Sequence, residues 1–398
     1  MSATGVLTLG VAGGTFTLLA RPRIGTVPLS RAVTSATGAV LVVALGVLTP
    51  AGALHALDAT TLLLLFGMLC HVEALRRSGG YEWLAAILVR RAPTARGLTL
   101  GALGLAAALS ALALNDATVL LLTPVVVDAT RRADVDPVLP LIAVIVGANV
   151  GSLATPLGNP QNAFVLAQSG LTTRAFVATL LPVALAVLAV TALVLARLAA
   201  PAPITVDVDV PDVDARWALA SAGFVLATLL ALLALPGANP GALAAAFGIA
   251  HVAFLQWFRR VPGADVLHDV DWGVLVMFAG IFVVVGALER VGAAGVLAAA
   301  TRTAGLPLTA FALSNLVSNV PAVVLLATTV GSAHDWVVLA ATSTLAGVAT
   351  PIGSAATLIV LDQAARDGVD VSLPRLLRVG APVAVLGTLV ALAVLRLV

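Results

Sequence analysis

The segment GSLATPLGNPQN, residues 151–162, decides the fold because it interrupts an apolar run that otherwise continues from residue 139. It contains two prolines, two glycines, two asparagines and one glutamine. Proline removes a backbone donor, and glycine lets another group approach the backbone closely. We therefore predict a broken helix over residues 137–169, with residues 162 onward forming a second half-helix.

The composition is typical of a membrane protein. Of the 398 residues, 60% are hydrophobic and 10% are charged, and the mean hydropathy is +1.10. Soluble domains carry roughly a quarter charged residues. We therefore predict an all-α polytopic membrane protein in the cytoplasmic membrane, with the lipid bilayer as its main partner. About ten transmembrane helices, two re-entrant hairpins and two broken helices are expected.

Apolar runs near the ~20 residues that cross a bilayer recur along the whole chain. The predicted spans cover residues 5–20, 32–48, 60–75, 137–153, 175–198, 217–235, 241–258, 272–288, 336–348 and 376–395.

Two further apolar stretches turn back at a polar tip. Residues 98–130 turn at Asn115-Asp116, and residues 306–331 turn at Ser318-Asn319. Each half is short for a crossing, so we predict two re-entrant hairpins, which are tolerated where protein or a watery cavity covers the backbone.

The arginines support this topology. The chain has no lysine, and with the N-terminus outside, 17 of its 21 basic residues lie on the cytoplasmic side. The exceptions are Arg174, Arg290, Arg302 and Arg396. This bias follows the positive-inside rule, and it argues against a nucleic-acid patch because the arginines lie at helix ends. The acidic linker, residues 201–215, is then a solvated cytoplasmic connector.

An internal repeat divides the chain into residues 1–200 and 216–398. Three pairs of segments match in the same order: 66–79 with 279–292, 110–122 with 314–326, and 154–162 (ATPLGNPQN) with 349–357 (ATPIGSAAT). The last match predicts a second broken helix over residues 336–366. Each half holds five spans and one hairpin, so the second half enters the membrane inverted. Inverted repeats with broken helices are the signature of secondary transporters, although a duplication kept for packing is the alternative.

The polar residues at the tips and breaks are the candidate site. We predict that the substrate or ion is bound by Asn115, Asp116, Thr155, Gly158, Asn159, Asn162, Ser318, Asn319, Thr350, Gly353 and Thr357. Free N–H groups at half-helix starts suit an anion, and carbonyls at half-helix ends suit Na⁺ or a proton carrier. Na⁺ sites are expected at Asn115, Asp116 and Asn162, and at Asn319 and Thr357. The alternative is that the asparagines only cap helix ends.

Asp116 is distinct because an acid at membrane depth is costly unless it is paired or protonated. It is expected to bind a coupling cation or carry a proton; an N-cap role is the alternative. By contrast, His71 and Glu73 are interpreted as an interfacial cluster with Arg76 and Arg77, and His251 and Asp362 as structural residues near helix ends.

Three segments resemble the ion transporter superfamily, in its citrate-transporter-like and arsenite-pump-like branches: LNDATVLLLTPVVV (114–127), ATPLGNPQN (154–162) and LVSNVPAVVLL (316–326). The resemblance implies an inverted-repeat fold with a scaffold and a mobile transport part, often dimeric, that works by an elevator-like motion. Where the dicarboxylate symporters carry Ser-Asn-Thr at both tips, this chain has residues 114–116 (LND) and 318–320 (SNV). The acidic tip favours proton or cation coupling.

We therefore expect a secondary active transporter, and a homodimer, for a small anion or oxyanion coupled to H⁺ or Na⁺. A Na⁺/H⁺ antiporter centred on Asp116 is the alternative, and a channel stays open. No cofactor beyond the coupling ion and no catalytic residue is expected. The chain has no HExxH motif, no Walker lysine and no nucleophile elbow, and its one cysteine, Cys70, cannot form an internal disulfide.

Overall fold

The computed structural model describes residues 3–20, 23–24, 27–205 and 212–397. In these residues the fold is helical, apart from one antiparallel pair of two-residue strands. The first half comprises α1 (Ala3–Ala20), β1 (Arg23–Ile24), β2 (Val27–Pro28), α2 (Arg31–Ala44), α3 (Pro50–His55), α4 (Ala59–Arg77), α5 (Gly80–Arg91), α6 (Ala95–Leu112), α7 (Asn115–Arg132), α8 (Val138–Ser152), α9 (Pro160–Ser169) and α10 (Thr173–Leu198).

The second half repeats this order from Ala215 onward. It comprises α11 (Ala215–Ala234), α12 (Pro240–Phe258), α13 (Gly263–His268), α14 (Trp272–Arg290), α15 (Ala294–Ala304), α16 (Leu306–Val317), α17 (Asn319–Ala327), α18 (Ala333–Ala346), α19 (Ala355–Arg366) and α20 (Leu373–Leu395).

The predicted helices are confirmed, with small differences at their ends. In the described part of the chain, seven helices are long and apolar enough to cross a membrane: α4, α6, α10, α11, α12, α14 and α20. Six of them are predicted spans, whereas α6, predicted as the short first arm of a hairpin, has 18 residues. The helices at the predicted spans α1, α2, α8 and α18 are not among the seven. The span predicted to end at Leu48 ends at Ala44, because Gly46 has φ +69° and Val47 N–H bonds back to the Val42 carbonyl. This is the Schellman motif, in which glycine ends the helix.

The acidic linker is partly fixed rather than wholly solvated. The N–H groups of Ala95 and Arg96 donate to the carbonyls of Ala202 and Ala200, and Ile204 N–H donates to the Pro93 carbonyl. The start of the linker therefore covers the beginning of α6. The other part of this prediction, residues 206–211, and the topology assignment of Arg21 lie outside the described residues.

Equivalent helices of the two halves pack in equivalent ways, and several of these contacts join one half to the other. Helix α4 packs on α12, and its counterpart α14 packs on α2, so these two pairs join the halves. Helix α6 packs on α8, and α16 on α18, each within its own half. The return arm of each hairpin contacts the broken helix of the other half, α7 with α19 and α17 with α9. The repeat is thus present in the packing as well as the sequence, while its inversion across the bilayer and the boundary at residues 201–215 stay predictions.

Small residues bring these helices into backbone contact. A Cβ at Gly67 would collide with the Ala244 backbone of α12, and one at Gly280 would collide with the Ser35 backbone of α2. On α8, a Cβ at Gly151 would collide with the Ala107 backbone of α6. Close helix crossings at small residues are the usual packing of membrane helices, because lipid provides no hydrophobic driving force between them.

We predict that Gly67→Ala destabilises the protein by roughly 1–3 kcal/mol, the cost of overpacking a close contact. The matched control is Gly104→Ala, because Gly104 is exposed on α6 with no atom within 4 Å of an added Cβ. Thermal unfolding in detergent measures both variants. A lower midpoint for Gly67→Ala alone is the expected result, and equal midpoints would contradict the packing.

Candidate functional site

Both hairpin tips and both broken helices meet at one cavity of about 1030 Å³. The first tip contributes Asn115 and Asp116, and the second contributes Ser318 and Asn319. Gln161 at the start of α9 and Ala355 at the start of α19 also line the cavity. Four predicted site residues therefore share one space.

The first tip is joined to the first break, residues 153–159, by its backbone. Asn115 N–H donates to the Gly158 carbonyl at 2.8 Å, and the Thr155 hydroxyl donates to the Ala111 carbonyl at 2.5 Å. A Cβ at Gly158 would collide with the Ser152 backbone, so only glycine allows this approach. These bonds satisfy groups that the end of α6 and the break leave unpaired.

The second tip repeats this arrangement at the second break, residues 347–354. Asn319 N–H donates to the Gly353 carbonyl at 3.1 Å, and the Thr350 hydroxyl donates to Asn315 Oδ1 at 2.8 Å. The same atoms of the hairpin and the break are thus joined in both halves, except that a side-chain amide, Asn315, replaces the carbonyl of Ala111.

Each half-helix after a break begins with a side-chain cap. Asn159 Oδ1 accepts from Asn162 N–H at 2.8 Å, and Ser354 Oγ accepts from Thr357 N–H at 3.4 Å. The residue whose N–H is capped also uses its side chain to donate a hydrogen bond to the end of the half-helix on the other side of the break. Asn162 Nδ2 donates to the Ser152 carbonyl at 2.9 Å, and the Thr357 hydroxyl donates to the Gly347 carbonyl at 2.9 Å.

Seven of the predicted site residues therefore hold the breaks together and do not line the cavity in the described residues: Thr155, Gly158, Asn159, Asn162, Thr350, Gly353 and Thr357. Capping explains Asn159, whereas Asp116 is not an N-cap, because α7 begins at Asn115 with Leu114 as its cap residue. Whether any of these residues binds substrate stays a prediction.

Several buried side-chain oxygens on α7, α8 and α9 have no hydrogen-bond partner among the described residues. They are Asn162 Oδ1, Gln161 Oε1, Asn149 Oδ1 and Thr118 Oγ1. Gln161 uses its nitrogen to bond Thr344 Oγ1 at 2.9 Å, which leaves its oxygen open. Buried polar atoms without partners are rare in native proteins. Amide and hydroxyl oxygens of this kind suit a hard cation such as Na⁺.

The second tip carries backbone strain. Ser318 has φ +75° and ψ +157°, a region that is essentially restricted to glycine. A non-glycine residue there costs of order 1–3 kcal/mol, and such strain clusters at ligand-binding and switch segments. Leu114 of the first tip has an ordinary φ of −54°, so the strain belongs to the second tip alone.

Charged side chains also line the cavity, and sequence analysis did not assign them to it. They are Arg31 at the start of α2, Asp271 before α14, and Asp362 and Arg366 on α19. Asp362 and Arg366 form an ion pair at 2.8 Å, which agrees with the interpretation of Asp362 as a structural residue, although it also lines the cavity. Arg31 was interpreted only as a topology signal. No local pattern connects it with Asp116, which is 85 positions away.

His71 is not part of the interfacial cluster. Glu73 does pair with Arg76 and Arg77, but His71 lies in the core, where its Nδ1 is 3.0 Å from His251 Nδ1. The Thr228 hydroxyl donates to the Phe224 carbonyl and lies 2.9 Å from His71 Nε2, so it accepts from that nitrogen. His251 is likewise at the middle of α12 rather than near its end.

Comparison with known proteins gives the family. The sequence profile of the citrate transporter family matches residues 16–337. An uncharacterized transporter of Mycobacterium tuberculosis is 30% identical, with 92% of each chain covered. The silicon efflux transporter LSI3 of Oryza sativa subsp. japonica is 26% identical, with 89% of this chain and 90% of that one covered.

A solved structure supports the fold. The crystal structure of the YdaH transporter from Alcanivorax borkumensis, described as having an unusual topology, aligns with a TM-score of 0.56. The alignment covers all of this chain and 98% of the other, at 16% identity.

The fold and these relatives define a multi-pass helical membrane transporter. The chain belongs to the citrate transporter family. The resemblance to the ion transporter superfamily read from the tips and breaks is thereby confirmed.

We predict that Asn162→Ala destabilises the protein by about 1–3 kcal/mol, because the buried carbonyls of Ser152 and Thr155 lose their donor. Gln256→Ala is the control, because Gln256 is exposed on α12 and its amide makes no hydrogen bond among the described residues; its change should stay within about 0.5 kcal/mol. Thermal unfolding of both variants in detergent is the measurement. If Asn162→Ala unfolds like the control, the amide does not hold the break.

Proposed function

We propose that this protein is a secondary active transporter of a small anion or oxyanion, coupled to H⁺ or Na⁺. The observation that supports it is the meeting of two tips and two breaks at one cavity. A helix end at membrane depth has unpaired backbone groups, so it is tolerated only where protein, water or a bound solute contacts it. In secondary transporters, substrate and coupling ions are bound between such discontinuous helices.

The names of the family and of one relative support a substrate class. The family is named for citrate, and one relative is named for silicon. In water, citrate and dissolved silicon are both small solutes rich in oxygen. The cavity of this chain offers amide and hydroxyl groups from Asn115, Ser318 and Asn319 together with the guanidinium of Arg31. Such donors suit the oxygens of a carboxylate or oxyanion. A carboxylate, arsenite-like or similar solute is therefore the proposed cargo.

Asp116 is the proposed carrier of the coupling ion. Its side chain faces the cavity, and within the described residues its carboxylate makes no hydrogen bond or ion pair. The oxygens of Asn162 and Gln161 that lack partners are further ligands if the ion is Na⁺. An unpaired acid at this depth is expensive unless a cation or proton accompanies it.

The cavity faces the arginine-rich side. Arg31 and Arg366 lie at helix ends that the charge bias assigns to the cytoplasm, and Arg366 is exposed. On this basis we propose that the conformation is an inward-open state. We propose that the tips and breaks move relative to α2, α4, α12 and α14 in an elevator-like cycle, in a homodimer in the cytoplasmic membrane.

A Na⁺/H⁺ antiporter centred on Asp116 is the second candidate. It is favoured by the charges around the cavity, where three aspartates face two arginines. A cation-only cycle would use Asp116 alternately for a proton and a sodium ion, with no anion in the cavity.

Purified protein in proteoliposomes distinguishes these candidates. We expect saturable counterflow of at least one anion from a panel of citrate, succinate, phosphate, arsenate, arsenite and sulfate, driven by an inward Na⁺ or H⁺ gradient. Na⁺-driven pH changes without transport of any panel solute would favour the antiporter. Electrical currents far above carrier turnover would contradict both and indicate a channel.

We predict that Asp116→Asn abolishes gradient-driven accumulation of the transported anion while exchange without a gradient persists. The reason is that an amide cannot take up or release the coupling proton. Asp128→Asn is the matched control, because Asp128 lies on the same helix and pairs at the surface with Arg132. Unchanged accumulation by the Asp116→Asn protein would remove Asp116 from coupling.

A further inference from the structure

Three of the five charged side chains around the cavity have a partner. Asp271 caps α14 by accepting from Gly273 N–H at 3.0 Å, and Asp362 pairs with Arg366. Across the described part of the chain, the side chains of Arg31 and Asp116 make no hydrogen bond and no ion pair, although both line this cavity. The unpaired charges are therefore one cation and one anion facing the same space.

Arg31 lies at a position where a cation is unfavourable. It is the first residue of α2, and the helix dipole places partial positive charge at that end. Its side chain is only partly exposed. The positive-inside bias accounts for an arginine at this end of α2, but not for a side chain that lines the cavity without a partner among the described residues. An anion in the cavity would explain it.

We propose that Arg31 is the anion-binding residue of the cavity, and that ionised Asp116 competes with the transported anion for it. The proposal rests on the proposed transport function. It adds the residue that binds the anion and the way in which protonation of Asp116 is coupled to that binding. When Asp116 carries a proton, Arg31 is available to the anion. When Asp116 loses the proton, its charge attracts Arg31 and repels the anion.

This competition makes the proton and the anion bind together. One proton is taken up at the Asp116 carboxylate for each anion that binds Arg31, and both leave together, which is the stoichiometry of a symporter. The linkage has a definite sign: raising the pH ionises Asp116 and weakens anion binding, by at most about tenfold per pH unit for one proton.

The other charges near Asp116 do not provide this competition. Asp271 from α14 and the Asp362–Arg366 pair from α19 line the same cavity, but each has its own partner. Helices α6 and α8 also pack on α7; α8 has no titratable residue, and Arg96 of α6 donates to the Ala199 carbonyl. Helix α5 packs on α7 too, and its titratable residues, Tyr81, Glu82, Arg90 and Arg91, are absent from the described cavity lining.

The test is anion binding to purified wild-type, Arg31→Gln, Arg31→Lys and Asp116→Asn proteins, with proton uptake recorded in weakly buffered solution. The probes are sulfate, nitrate and succinate, whose charges are constant from neutral to alkaline pH, together with any anion that the liposome panel shows to be transported. Arg216→Gln is the control, because Arg216 is exposed in the first turn of α11 and is not part of the described cavity lining. Thermal unfolding shows that each variant is folded.

We expect wild-type protein to take up close to one proton per bound anion, with affinity that falls as the pH rises. Arg31→Gln should lose at least tenfold in affinity, and Arg31→Lys should recover part of it. Asp116→Asn should bind the anion without proton uptake and with affinity independent of pH.

Two results separate the possible failures. If Arg31→Gln binds the anion like the wild-type protein, or Asp116→Asn keeps the pH dependence, the inference is overturned while the transport function stands. If wild-type protein neither binds nor transports any of the anions, the proposed function fails and the inference fails with it.

Discussion

The structure depends on two backbone hydrogen bonds, from Asn115 to the Gly158 carbonyl and from Asn319 to the Gly353 carbonyl. Inside a bilayer, an unpaired backbone group costs several kcal/mol, so a helix can break only where another segment satisfies it. Each hairpin tip supplies that partner. The same bonds place the tips against the breaks, and they thereby create a polar cavity among otherwise apolar helices.

The two halves share this geometry but differ in chemistry. In the first half, the break is held by the amides of Asn159 and Asn162, and an acid, Asp116, follows the tip. In the second half, hydroxyls of Ser354 and Thr357 take the equivalent positions, and the strain lies in Ser318. The repeat therefore provides a framework that both halves share. The proposed coupling residues, Asp116 and Arg31, both belong to the first half.

The helices, tips and breaks could be predicted because each has a local cause: apolar length, proline and glycine at the breaks, and a polar pair at each tip. The repeat offset even aligns Ser152 with Gly347, whose carbonyls receive Asn162 and Thr357. What could not be predicted is contact between distant charges and rings. That Arg31 shares a cavity with Asp116, and that His71 contacts His251, depends on how α2, α7, α4 and α12 pack, and no periodicity in the sequence encodes that.

Accessibility of the cavity from the two sides of the membrane tests the central claim most directly. Cys70 is buried and is the one cysteine, so Cys70→Ser gives a background for Ala355→Cys, which lies on the cavity wall at the start of α19. In oriented vesicles, an impermeant thiol reagent should label this cysteine from either side, with the balance shifted by the transported anion or the coupling ion. Labelling from one side only, whatever the gradient, would contradict alternating access at this cavity.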